Sequence, residues 1–170
     1  MEGLVVRLNT TIAVMFSVCI FGCGFLSDTS YEDDVANDRS ILAEIIKANP
    51  VLDSALKAGH YFLPYSSESG QITGELDLHK LNLYDSNFYF PKSIRNFRRV
   101  KTVLLSSNNF TELPRGTLDA NWSAVLVLGN KICHPSSETV AYLDKLMAGA
   151  PGGYWRDSQH CGDSIPAASP

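Results

Sequence analysis

Several kinds of chemistry lack their residues in this chain. The four histidines, His60, His79, His134 and His160, are scattered, with no H-E-x-x-H pair and no Cys/His cluster at zinc spacing. No serine lies in a G-x-S-x-G elbow, and neither a phosphate-binding loop nor a dinucleotide glycine pattern is present. No catalytic residue, metal or cofactor is therefore expected. A basic excess is missing too: 14 Lys and Arg against 18 Asp and Glu leave a formal charge of -4. That balance excludes nucleic acid as an expected partner, because a phosphate-binding surface needs cations in excess. The basic run Arg95, Arg98, Arg99 and Lys101 reads as a solvated edge. At 170 residues and 45% hydrophobic composition the chain is long enough for one folded domain and too short for two substantial ones.

Near the start, Arg7 precedes an apolar run from Ile12 to Phe21 that is too short to span a bilayer comfortably, and residues 1–22 read as a targeting signal. The run ends Ile20-Phe21-Gly22-Cys23, which resembles the lipobox of bacterial lipoproteins, with Phe21 departing from the usual small residue. The resemblance implies cleavage before Cys23, a diacylglyceryl thioether on its sulfur and an acylated amino terminus. Several acyl chains would anchor the protein stably to a membrane at the cell envelope, facing outside the cytoplasm. Ordinary secretion after cleavage near Gly24, and an uncleaved membrane anchor, are the alternatives. Cysteine is scarce: on that resemblance Cys19 would leave with the signal and Cys23 would be lipidated, so Cys133 and Cys161 would remain, and an oxidising compartment favours joining them. Two free buried thiols are the other reading.

What the chain does have is a repeated spacing. Val100, Val103, Leu105, Asn108, Phe110 and Leu113 stand at positions 1, 4, 6, 9, 11 and 14 of a unit, followed by Pro114. Trp122, Val125, Val127, Asn130 and Ile132 repeat it 22 residues later until Cys133 interrupts. A stretched copy precedes both in Leu76, Leu78, Leu81 and Leu83, then Phe88, Phe90, Pro91, Ile94 and Phe97, with Tyr84 to Asn87 as an insertion. The spacing resembles that of leucine-rich repeats, and two copies at one period argue for a solenoid. The expected fold is thus α/β: a short solenoid of about three repeats over residues 71–133, with parallel strands on a concave face.

Helical caps are expected on both ends, because an open solenoid exposes its core. Residues 23–37, rich in Ser, Asp and Glu, read as a flexible tether. Asp38 opens a helical pattern in which Ile41, Leu42, Ile45 and Ile46 share a face and Pro50 stops the helix; a second helix runs from Val51 to Ala58, and the N-terminal cap extends over 38–70. After Cys133, Pro135 and Ser136 or Ser137 start a helix with Val140, Leu143, Leu146 and Met147 on one face. Trp155, Gln159 and Cys161 follow in an arrangement that resembles the disulfide-bearing C-terminal cap of exported bacterial leucine-rich repeat proteins, here spanning 134–161. Residues 162–170 form a small-residue tail.

Within such a repeat the position-4 and position-6 aliphatics point inward, while positions 3, 5 and 7 face the concave surface. Asn108 and Asn130 then form a structural ladder, their amides bonding the backbone of the bend and of the neighbouring coil. The candidate binding face comprises Asp77 and His79 from the first repeat, Lys101 or Thr102 with Leu104 and Ser106 from the second, and Leu126 and Leu128 from the third. Its apolar part marks a contact surface for another protein, or a glycan, unless the C-terminal cap or tail folds over it. The corresponding function is a non-catalytic, membrane-tethered binding module. A structural envelope component without a specific ligand, and a soluble secreted repeat protein, are the alternatives. The sequons at Asn109 and Asn121 would carry weight in a eukaryotic protein and are accidental in a bacterial one.

Overall fold

The computed structural model describes residues 29–64, 73–146 and 154–162. The chain divides into two units, residues 1–32 and 33–170, and the account below concerns the second together with the helix turn, from Thr29, that leads into it. The signal, Cys23 and the tail beyond Gly162 lie outside the described residues. The fold is mixed α/β: a small parallel sheet of three strands with helices before and after it.

Helix α1 spans Thr29–Ala48. The tether expected over 23–37 is therefore helical from Thr29 onward, and Asp38 lies within the helix instead of opening it. The reason is a longer buried stripe than Ile41 and Ile45 alone: Val35, Asp38, Ile41 and Ile45 recur at helical spacing and all are buried. Glu32 in the opening turn and Lys47 in the last one oppose the helix dipole at each end. Pro50 stops α1, and α2 follows over Leu52–Lys57 with Leu52 fully buried. It ends at Gly59, whose φ of +82 suits the left-handed turn in which the His60 amide donates to Ala55 O at 3.0 Å.

Strands β1 (Glu75–Asp77), β2 (Thr102–Leu104) and β3 (Ala124–Leu126) pair in parallel in that order. Leu76 aligns with Val103, 27 residues on, and Val103 with Val125, 22 residues on. The sheet is not curled, so the expected concave surface is an open face instead: curvature accumulates from the small rotation between neighbouring strands, and three strands are too few to build an arc. The middle residue of each strand is buried, and Leu78, Leu105 and Val127 form a second buried layer. Opposite them an aromatic group fills the interior. Phe88 packs edge-on against Phe90 at 5.0 Å, and Trp122 lies 6.0 Å from both Phe90 and Phe97. The Trp122 ring nitrogen donates to Thr117 O at 3.0 Å, so its polar atom is satisfied inside the core.

Each strand leaves the sheet through a left-handed residue at the same place: Lys80, Ser107 and Gly129, with φ of 56, 56 and 66. The next position holds Leu81, Asn108 and Asn130. Asn108 Nδ2 donates to Leu78 O at 2.8 Å and Leu105 O at 2.9 Å, while its Oδ1 accepts from the amides of Leu81 and Leu83 at 3.0 and 3.1 Å. It thereby seals its own turn and the preceding one, where leucine replaces asparagine. Asn130 Nδ2 donates to Leu105 O and Val127 O, both at 2.9 Å, and its Oδ1 accepts from the Phe110 amide at 3.1 Å. Buried amides with their capacity used in this way avoid the penalty of unpaired polar groups. The stretched first copy absorbs its extra length in a turn at Tyr84–Asn87, closed by Asn87 N to Tyr84 O at 3.0 Å and by Tyr84 N to Asn87 Oδ1 at 2.9 Å.

Two polar residues, one within α1 and one just past its end, hold this framework, and neither role was read from the sequence. Asp38, 1% exposed, accepts the backbone amides of Arg98, Arg99 and Val100 at 2.8, 2.9 and 3.0 Å. Asn49, also 1% exposed, exchanges two bonds with Tyr89: Tyr89 N to Oδ1 at 2.8 Å and Nδ2 to Tyr89 O at 2.9 Å. The outer edge of β1 is covered by Phe62, whose carbonyl accepts the Asp77 amide at 2.8 Å. That contact blunts an edge that would otherwise present unpaired backbone groups.

At the far end, α3 (Ser137–Leu146) is capped by Ser136, whose hydroxyl accepts the Thr139 amide at 3.2 Å. Glu112 reaches the same turn and accepts Ser136 N at 2.6 Å and Leu113 N at 3.0 Å. Partial burial pushes its carboxyl up, but these amides and the hydroxyls of Thr139 and Ser136 outweigh it and leave the pKa below the usual value. A four-residue helix, α4 (Tyr154–Asp157), buries Trp155. Trp155 Nε1 and Arg156 Nη2 donate to the two oxygens of Asp144 at 3.0 and 2.8 Å. Those bonds, with the charge of Arg156, lower the Asp144 pKa. Gln159 then closes the end, its Nε2 donating to Val127 O at 3.1 Å and its Oε1 accepting from Ile132 N at 3.2 Å. Cys133 and Cys161 are joined by a disulfide with Cα atoms 5.6 Å apart, which removes the reading of two free thiols.

Candidate functional site

Side chains alternate along a strand, so the residues flanking each buried one project from the same side of the sheet. Strand register arranges them in rows. Glu75, Thr102 and Ala124 form one row, and Asp77, Leu104 and Leu126 the next. The amide bonds Lys80 N to Ser106 O and Ser107 N to Leu128 O carry the alignment onward, placing His79, Ser106 and Leu128 in a third. The face is therefore graded across its width. Its β1 side carries two carboxylates, and its β3 side is aliphatic.

Lys101 does not belong to this face. It shares the parity of Val103 and Leu105, and its ammonium donates to Phe97 O at 3.2 Å. Thr102 takes the position in its place. The other expected residues, Asp77, His79, Leu104, Ser106, Leu126 and Leu128, are brought together by the register described above.

On the acidic side, His79 Nδ1 donates to Asp77 Oδ1 at 2.5 Å, and the His79 amide adds a second bond to that oxygen at 3.1 Å. His60, which sequence reasoning passed over, comes in from the loop after α2. Its Nε2 donates to Asp77 O at 2.9 Å, and its ring packs edge-on against Phe62 at 4.8 Å. Only a donor satisfies a carbonyl or carboxylate oxygen, so each of these two ring nitrogens carries a hydrogen. Oriented Asp–His pairs occur in nucleophilic sites, and Ser106 is the neighbour of His79 in its row. No hydrogen bond links the Ser106 hydroxyl to His79, and among the described residues no three His, Cys, Asp or Glu side chains could hold a metal ion. Glu75 pairs with no cation among the described residues.

On the apolar side, Leu126 is 38% exposed and Leu104 and Leu128 are half-buried. Beside β3 lies an apolar pocket of about 180 Å³ lined by Ala124, Leu126, Leu128, Leu146 and Trp155, with Val125 and Val127 behind. The described part of the C-terminal end reaches this side of the sheet through Gln159 and Ser158, whose carbonyl accepts the Gly129 amide at 3.0 Å. It leaves Leu126 uncovered.

Comparison with known proteins returned no match: no family model fits the chain, and neither a curated protein nor a solved structure is similar enough to count as a relative.

Proposed function

We propose that this chain is an exported leucine-rich repeat protein of the lipid-anchored bacterial type, and that its sheet face binds another protein outside the cytoplasm. On this reading Cys23 carries the anchor, the helices before and after the sheet are its caps, and the protein performs no catalysis. The aligned left-handed residues and the paired amides of Asn108 and Asn130 support the repeat assignment. The disulfide supports an oxidising compartment. The observation that carries the function is Leu126, a large aliphatic side chain left 38% exposed between Leu104 and an apolar pocket. Exposed apolar surface that is contiguous and rimmed by polar groups marks contact sites.

The test is crosslinking in the native envelope with wild-type bait and a folded Leu104→Glu, Leu126→Glu variant, followed by the mass of the bait's N-terminus. A crosslinked protein that disappears with the variant, on a bait acylated at Cys23, is the expected result. The same crosslinks from both baits would sink the binding-face reading. A bait without the acyl mass would sink the anchor.

A further inference from the structure

The proposed binding face is graded, and the gradient specifies the chemistry of what it takes. We propose that its occupant is an amphipathic helix of a partner protein, with a Lys or Arg set against Glu75 and Asp77 and aliphatic residues set on Leu104 and Leu126. This inference rests on the binding-face reading above. Three observations carry it. The two carboxylates occupy neighbouring positions on β1, and Glu75 has no cationic partner among the described residues. Lys101, which immediately precedes β2, commits its ammonium to Phe97 O and forms no ion pair with either carboxylate. In the row that begins at Asp77, the next two positions are both leucine, and the second adjoins a pocket of about 180 Å³. A cavity somewhat above 150 Å³ holds roughly one benzene-sized group, so the pocket takes a single aliphatic or aromatic side chain.

Dimensions favour a helix laid across the strands. Adjacent strands lie about 4.8 Å apart, so β1 and β3 are roughly 10 Å apart. A helix rises about 1.5 Å per residue, which puts residues i and i+7 about 10.5 Å apart with i+3 or i+4 midway between them. A cation at i, an aliphatic residue at i+3 or i+4 and another at i+7 thus fall over β1, β2 and β3 in turn. This is the anchor spacing of helices that bind grooves. Anionic lipid headgroups would meet Glu75 and Asp77 unfavourably, which argues against a membrane surface as the occupant.

The probe is an alanine-based helical peptide with Lys, Leu and Leu at i, i+4 and i+7, titrated into the oxidised, 15N-labelled protein, with a Glu-for-Lys peptide as its control. Amide shifts at Glu75, Leu104 and Leu126 read the affinity. The Lys peptide should bind the wild type more tightly than the Glu peptide. Glu75→Lys should weaken the Lys peptide by about tenfold and reverse the preference. Leu104→Ser with Leu126→Ser should remove binding of both.

Equal affinity for the two peptides, or a preference that Glu75→Lys leaves unchanged, would overturn the inference. Loss of binding in the leucine variant would then still uphold the apolar contact face. Binding untouched by either variant would defeat both readings. No binding of the Lys peptide overturns the partner chemistry alone, since envelope crosslinking judges the face separately. Self-association removed by Leu126→Glu but not by Glu75→Lys would assign the face to a second copy, and that too would overturn it.

Discussion

The two ends of the sheet are closed by different physics. Ahead of β1, a helix of 20 residues buries Val35, Ile41 and Ile45, and its Asp38, with Asn49 just past its end, grips loop backbone. Beyond β3, α4 has four residues and contributes Trp155 to the core, and closure depends on Gln159, the Asp144 cluster and a disulfide. A long helix covers exposed core by apolar burial, at about 25 cal/mol per Å². A short one buries too little, and a covalent link compensates by restricting the unfolded chain.

The sharpest way to break that contrast is to remove the polar grip at the first end. Asp38→Ala strands three backbone amides, of which that of Val100 is fully buried, and we expect a loss of about 3 kcal/mol in urea unfolding. A loss below about 1 kcal/mol would show that the helix is held by its apolar stripe alone. Reduction, or paired Cys133→Ser and Cys161→Ser substitutions, should cost about 3 kcal/mol for a loop of 28 residues. Hydrogen exchange should localise the loosening to residues beyond β3, while amides around Asp38 keep their protection. Uniform loosening would mean that the two ends are not independent.

Asn108→Ala and Asn130→Ala sharpen the comparison from within, at about 2–3 kcal/mol each. Asn108 is expected to be the more costly of the two, because it serves the first turn as well as its own. Thermal melts of the two variants decide the order.

The smallest expected effect is at Glu112. Its folded pKa lies below 4.5, so its carboxylate stabilises the fold above that value, and the contribution disappears as pH falls through the lower folded pKa. Most of the group is solvated, and screening leaves about 0.5 kcal/mol. Glu112→Gln should therefore flatten the acid limb of the stability curve slightly, and an unchanged limb would assign acid sensitivity elsewhere.

The sheet was the most legible part of the molecule. The alternation at Val103, Leu105, Val125 and Val127 can be read without a structure because a strand has a side-chain period of two. The same rule, applied strictly, separates Lys101 from Thr102, an ambiguity that the backbone resolves in favour of Thr102. The start of α1 was less legible: an Asp-rich stretch looks like a tether until Val35 and Asp38 are seen to extend the stripe of Ile41 and Ile45. A carboxylate on an apolar stripe, three residues before Ile41, was the available signal. His60 carried no comparable signal, because it reaches Asp77 only through the turn after α2.

The sequence by itself determined what is local and periodic. Side-chain alternation sets which face of each strand is buried, Pro50 and Gly59 set where helices stop, and the spacing of aliphatics sets which strand positions can align. Tertiary structure alone decided the long-range pairings: Asp38 with Arg98–Val100, Asn49 with Tyr89, His60 with Asp77, and the gradient from Glu75 to Leu126. Each of these joins residues far apart in the chain. Their partners are backbone groups or neighbouring strands, which present the same chemistry everywhere in a sequence and become specific only when folding brings them together.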